Sequence, residues 1–166
     1  MDYNFIILKD EIDEQLASIR QLEDTLHEVQ NKDLNDEITR RVYASILEDF
    51  YMAVEKIFKL LASDIDNNLP DGARWHKKLL RQMSVKIPEI RPAVIDKELF
   101  NTLEEYLKFR HLTHNIYGFQ LEYERFNHLV ENLPQTIEQL EKQINNFLTE
   151  LEKLLNDNEK NNVDDN

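Results

Sequence analysis

A chain of 166 residues with 2 glycines, 4 prolines and no cysteine lacks the turn-formers of an all-β fold. It has no disulfide, thiolate metal site or cysteine nucleophile, so its fold rests on packing. A net charge of −13 opposes non-specific nucleic-acid binding by the molecule as a whole, because phosphates need cations.

Plentiful Leu, Glu, Lys and Gln, good helix formers, predict an all-α protein. The opening MDYNFIILKDEID holds one short apolar run. It has no basic region before the run and no small-residue cleavage site after it, so no signal peptide is expected. No apolar run approaches the ~20 residues of a membrane helix, and a cytoplasmic protein is expected.

The first helix is predicted from Tyr3 to Gln30. Ile12, Leu16, Ile19, Leu22, Leu26 and Val29 recur at spacings of three and four and make one apolar stripe. NKDLND interrupts it. The second helix is predicted from Leu34 to Asp64, with Val42, Ile46, Phe50, Ala53, Ile57 and Leu60 as its stripe. Tyr43, Tyr51 and Phe58 add bulk, so more than one of its faces is expected to be covered. SDIDNNLPDG then supplies Asn, Pro and Gly, a loop signal.

A short third helix is predicted from Ala73 to Ser84, with Trp75, Leu79, Leu80 and Met83 as its apolar set. Trp75 reads as a core or interface anchor and His76 as its exposed neighbour. VKIPEIRPAVID carries Pro88 and Pro92 and reads as an extended connection, since the residue before a proline is pushed out of the α region. The fourth helix is predicted from Asp96 to Asn127, running through YLKFRHLTHNIYGFQLEY. ENLPQT marks a break. The fifth is predicted from Gln135 to Asn156, with Ile137, Leu140, Ile144, Phe147, Leu151 and Leu154 as a seam for a neighbouring helix. Short loops between long helices predict an antiparallel up-and-down bundle of four main helices plus one short helix. Residues 1–156 are expected to form a single helical domain and residues 157–166 a disordered acidic tail.

Charge is uneven along the chain. Between Asp71 and Gly118, nine Lys and Arg face six Asp and Glu, a net of +3, while the rest of the chain carries −16. Three of the five histidines also fall in this segment. An anionic ligand is expected to bind here. Arg74, Lys77, Lys78 and Arg81 are its candidate RNA-guiding cations.

Within the fourth helix, Arg110, His111, His114, Asn115 and Tyr117 crowd together. On a helix, His114 and Tyr117 lie within about 40° of Arg110, and His111 and Asn115 adjoin on the flank. Arg grips a phosphate with two N–H groups, and His takes or gives a proton near neutral pH. These are the parts for cleaving RNA without a metal. A base activates the ribose 2′-hydroxyl, an acid protonates the leaving 5′-oxygen, and a cation steadies the phosphorane. On spacing alone the simpler reading is a solvated helix face.

Read together, LEDFYMAVEKIF, GARWHKKLLRQM, IRPAVID and EEYLKFRHLTHNIYGFQL resemble the HepT-like branch of the HEPN superfamily, helical ribonuclease toxins paired with small nucleotidyltransferase antitoxins. The resemblance covers about Leu8 to Leu151. It implies a homodimer that brings two copies of an Arg-x4-His motif to one cleft, RNA as substrate, and no cofactor or metal. It implies a minimal nucleotidyltransferase partner able to attach AMP to the motif tyrosine. Arg110 matches the motif Arg, His111 the polar residue after it, Tyr117 the modifiable tyrosine and Gly118 the glycine that follows.

The motif histidine falls on Asn115, where the sequence departs from the pattern. An amide cannot exchange a proton near neutral pH, and loss of general acid–base help costs ~10²–10⁴ in rate. Three readings stay open. In the first, His111 or His114 moves the proton in an active ribonuclease, with Asn115 positioning. In the second, the protein is a catalytically impaired HEPN member that binds nucleotide, RNA or a partner. In the third, it is a helical scaffold.

Overall fold

The computed structural model describes residues 3–31, 36–115 and 122–164. Five α-helices pack together: α1 (Tyr3–Gln30), α2 (Asp36–Asp64), α3 (Trp75–Met83), α4 (Lys97–Thr113) and α5 (Asn127–Asp164). A 3-10 turn at Tyr123–Arg125 precedes α5. No strand occurs among the described residues, as the all-α prediction requires. Nor is any described helix long and apolar enough to cross a membrane.

The helices form where the apolar period places them. Phe5, Leu8, Ile12, Leu16, Ile19, Leu26 and Val29 are the buried face of α1. α2 is the central helix, touching α1, α3, α4 and α5. Hence its buried set wraps several faces: Phe50, Tyr51, Val54, Ile57, Phe58, Leu61 and Ala62 are all within the core. α1 and α2 run antiparallel, with Thr25 near Asp49 and Glu11 near Asp64 along two surface grooves. α4 and α5 also run antiparallel, with Tyr106 against Leu129 and Asp96 against Gln143.

Asp96 starts α4. Its backbone is extended and its carboxylate accepts from Leu99 N at 2.8 Å, an N-cap bond. Gln143 on α5 reads the same residue twice, accepting from Asp96 N at 2.8 Å and donating to its carboxylate at 2.9 Å. The start of α4 is thereby fixed to the middle of α5.

The connection before α4 is tighter than the predicted extended segment. Ile90 N bonds back to Ile87 O at 3.1 Å, around Pro88 and a left-handed Glu89 (φ 64°). Behind this turn lies Arg91, only 2 % exposed. All five of its N–H donors have acceptors. Nε and Nη2 take the two oxygens of Asp66 (2.5 and 2.7 Å), and the carbonyls of Val85, Pro92 and Gln82 take the rest. A buried charge requires such pairing.

Three helix boundaries differ by more than a turn from the sequence expectation. α4 ends at Thr113 and does not run to Asn127. Its last carbonyls are taken by local side chains: Thr113 Oγ1 donates to Arg110 O at 3.0 Å and Asn115 Nδ2 to His111 O at 2.7 Å. Conversely, α5 begins at Asn127 and carries Pro134 inside it, where the sequence read a break. Pro134 has no N–H for the Val130 carbonyl, a defect of ~3 kcal/mol in a helix interior. Yet Leu129, Val130 and Leu133 are all buried there. At ~1.5–3 kcal/mol for each such side chain, their burial outweighs the defect. The helical backbone also continues past Asn156 to Asp164, into the segment that composition reads as a tail.

Candidate functional site

Glu55 lies on α2 in phase with Tyr51 and Phe58, among core residues, and is 4 % exposed. A carboxylate so placed needs donors. It finds two on different elements: Arg110 Nη1 of α4 donates to Oε1 and His76 Nδ1 of α3 to Oε2. One buried acid therefore holds the motif arginine and a histidine from a separate helix.

A carboxylate only accepts, so the Nδ1 of His76 carries the hydrogen in this bond. That leaves Nε2 as the nitrogen able to take a further proton when the ring is neutral. The ring is set by its surroundings. It stacks on Trp75 with centroids 3.6 Å apart, while Lys59 of α2 stands 4.2 Å from the Trp75 ring. His111 meets the His76 ring edge to face at 5.3 Å.

Both imidazoles are held below the ordinary histidine range. Burial and then the Lys59 charge lower His76. Glu55 pulls in the opposite direction, but its charge is already shared with Arg110. Burial lowers His111, reinforced by His76, Arg110 and His114. The neutral, proton-accepting forms are thus favoured near neutral pH.

Tyr51, one turn before Glu55, is fully buried, and its hydroxyl has no hydrogen-bond partner among the described residues. Burial pushes its phenol up, against the opposing charge of Arg110. It therefore stays protonated beside the arginine.

The predicted site residues are only partly brought together. Arg110 and His111 join the cluster. His114 caps α4 and is exposed, and Asn115 spends its amide on the His111 carbonyl. Asn115 thus closes the helical turn that carries His111. Among the described residues, the helix face expected for Arg110, His114 and Tyr117 runs from Arg110 to the His114 cap, where α4 stops. Tyr117 and Gly118 lie outside the described residues.

Among the candidate RNA-guiding cations, Lys77 pairs with Glu104 at 3.0 Å and Lys78 Nζ donates to Asp71 O at 3.3 Å. Arg74 and Arg81 are exposed. Lys108 on α4 pairs with Glu105 at 2.8 Å and lies 3.5 Å from Glu104.

A family model described as HepT-like protein matches residues 42–151, which is 110 of the 166 residues. The chain belongs to the HepT-like protein family. This is a HEPN-related toxin family. No curated protein and no solved structure matches the chain.

The matched span of this HepT-like protein holds Glu55, His76, Arg91, Arg110, His111 and Asn115. Sequence reasoning missed Glu55, although a signal was present: it is an acid at a core phase of α2, flanked by Val54 and Ile57. It also placed His76 as an exposed neighbour. In this HepT-like protein the His76 side chain is 23 % exposed and bonded to Glu55, because the first turn of α3 turns it inward onto α2.

Proposed function

We propose that this HepT-like protein is a metal-independent, toxin-type ribonuclease. It acts as a homodimer and is held in check by a minimal nucleotidyltransferase antitoxin. The observation that carries the reading is the neighbouring of Arg110 and an exposed His111 in the last turn of α4, with Arg110 braced from behind by Glu55. Glu55 takes Nη1, and the rest of the planar guanidinium fork suits a phosphate. The antitoxin would attach AMP to Tyr117, adding bulk and negative charge that repel an RNA backbone.

The test is cleavage of total RNA, and of a single-stranded oligonucleotide, by the purified chain in excess EDTA. Wild type is expected to cut and Arg110→Ala to lose at least about 100-fold, the scale on which loss of one electrostatic stabiliser is felt. Cutting that EDTA abolishes, or that survives in Arg110→Ala, contradicts the reading.

The second reading, a catalytically impaired HEPN protein that binds nucleotide, RNA or partner, is favoured by Asn115. Its amide caps a helix where the family pattern has a proton-carrying histidine. Silence in wild type with cleavage gained in Asn115→His supports this one. A plain helical scaffold predicts polar side chains facing water separately, and the gathering of Arg110, His76 and His111 around Glu55 argues against it.

A further inference from the structure

We propose that His76 is the proton acceptor of the RNA site, oriented by Glu55 and supplying from α3 the imidazole that Asn115 lacks. The inference rests on the ribonuclease reading above and names a residue for its missing step.

Three observations converge on it. First, Glu55 fixes the tautomer: with Nδ1–H given to the carboxylate, the lone pair sits on Nε2. A histidine whose far nitrogen is held by a buried carboxylate is an oriented base. Second, the same carboxylate holds Arg110, so the base and the phosphate-binding cation share one rigid brace between α3 and α4. Third, His76 is confined by stacking on Trp75 and faces His111 edge-on. One carboxylate, one arginine and two imidazoles thus meet within a single protomer, and Asn115 adds only the bond that closes the His111 turn.

The step balances on these groups alone. His76 Nε2 takes the proton of the ribose 2′-hydroxyl, and the freed 2′-oxygen forms a bond to phosphorus. The bond from phosphorus to the 5′-oxygen breaks. That oxygen leaves with a proton from His111, which must be in its imidazolium form. The products are a 2′,3′-cyclic phosphate and a 5′-hydroxyl end. His76 ends protonated and His111 neutral, and exchange with water resets both.

The charged and titratable neighbours set the pH range. Glu55 from α2 and His111 from α4 meet His76, the Lys59 charge acts on it from α2, Arg110 of α4 shares its Glu55 partner, and His114 stands at the α4 cap near His111. Since both imidazoles are held low, the protonated acid becomes scarce as pH rises through neutrality. The rate is therefore expected to peak on the acid side of pH 7.

The experiment follows single-turnover cleavage of an RNA oligonucleotide across pH, with RNA affinity measured separately by fluorescence anisotropy. Wild type, Arg110→Ala and His76→Gln are compared. His76→Gln is expected to lose ~10²–10⁴-fold in rate, the usual scale for general acid–base loss. It is also expected to lose the acid limb of the profile while RNA affinity holds. If His76→Gln cuts within a few-fold of wild type with an unchanged profile while Arg110→Ala is dead, this proposal falls and the ribonuclease reading stands. If wild type does not cut, both fall. A readout free of variants is the histidine tautomer by nitrogen NMR on the full chain. An unprotonated Nε2 on His76 above its pKa is expected, and an unprotonated Nδ1 overturns the proposal.

Discussion

At the scale of single residues, two buried charges do different work. Arg91 spends all five donors inside the fold and none on solvent, which marks it as structural. Its partner Asp66 is equally buried, with a side chain 1 % exposed. Arg91→Met is expected to leave that carboxylate with Gln82 as its main donor and to cost ~3–5 kcal/mol, the loss seen when one partner of a buried pair is removed. Urea denaturation measures it, and a change below about 1 kcal/mol, the range of surface pairs, would contradict the account. The Arg-Pro pair was visible in the sequence as part of a motif, but its use was not. Nothing local tells an arginine that pairs with a carboxylate 25 positions away from one that meets solvent. Glu55 shows the converse. Its core phase on α2 was legible, whereas its two partners, 21 and 55 positions away, were not.

At the scale of elements, the apolar period placed every helix, and the errors fall at the ends. Helix centres are set by burial, which repeats at every turn and leaves a pattern. Helix ends are set by a few side chains that compete for the last carbonyls. Thr113 and Asn115 stop α4 this way, and neither residue type is rare enough to announce it. Pro134 misled in the other direction. As a breaker it marks an end, but Tyr106 from α4 donates to the Leu129 carbonyl at 2.9 Å, and the buried stripe continues through Leu133 to Ile137. Pro134→Ala restores a donor to Val130 and should stabilise the fold by ~1–3 kcal/mol, up to the full proline penalty. A thermal melt checks it. A lower melting temperature would mean that the α4–α5 contact depends on a proline-bent helix.

At the scale of the molecule, the proposed ribonuclease function asks how a chain of charge −13 would meet RNA. The segment from Asp71 to Gly118 is positive overall, which was legible by counting, but counting overstates what RNA can use. Lys77 and Lys108 both reach Glu104, whose carboxyl is held below the usual range first by its hydrogen bond from Lys77. These lysines stand on α3 and α4, the two helices that carry His76 and Arg110. The pairs are surface ones and contribute little to stability; their effect is on the local field. Glu104→Gln removes one negative charge beside the cluster, releases Lys77 and leaves Lys108 with Glu105 alone. RNA should then bind more tightly at low salt. The salt dependence should also steepen by about 0.7 in log–log slope for each lysine that newly meets a phosphate on a single strand. Titration of a labelled oligonucleotide at several salt concentrations reads both quantities. An unchanged slope would place the RNA path away from Lys77 on α3 and Lys108 on α4, and with it the basic face that Arg74 and Arg81 were expected to extend.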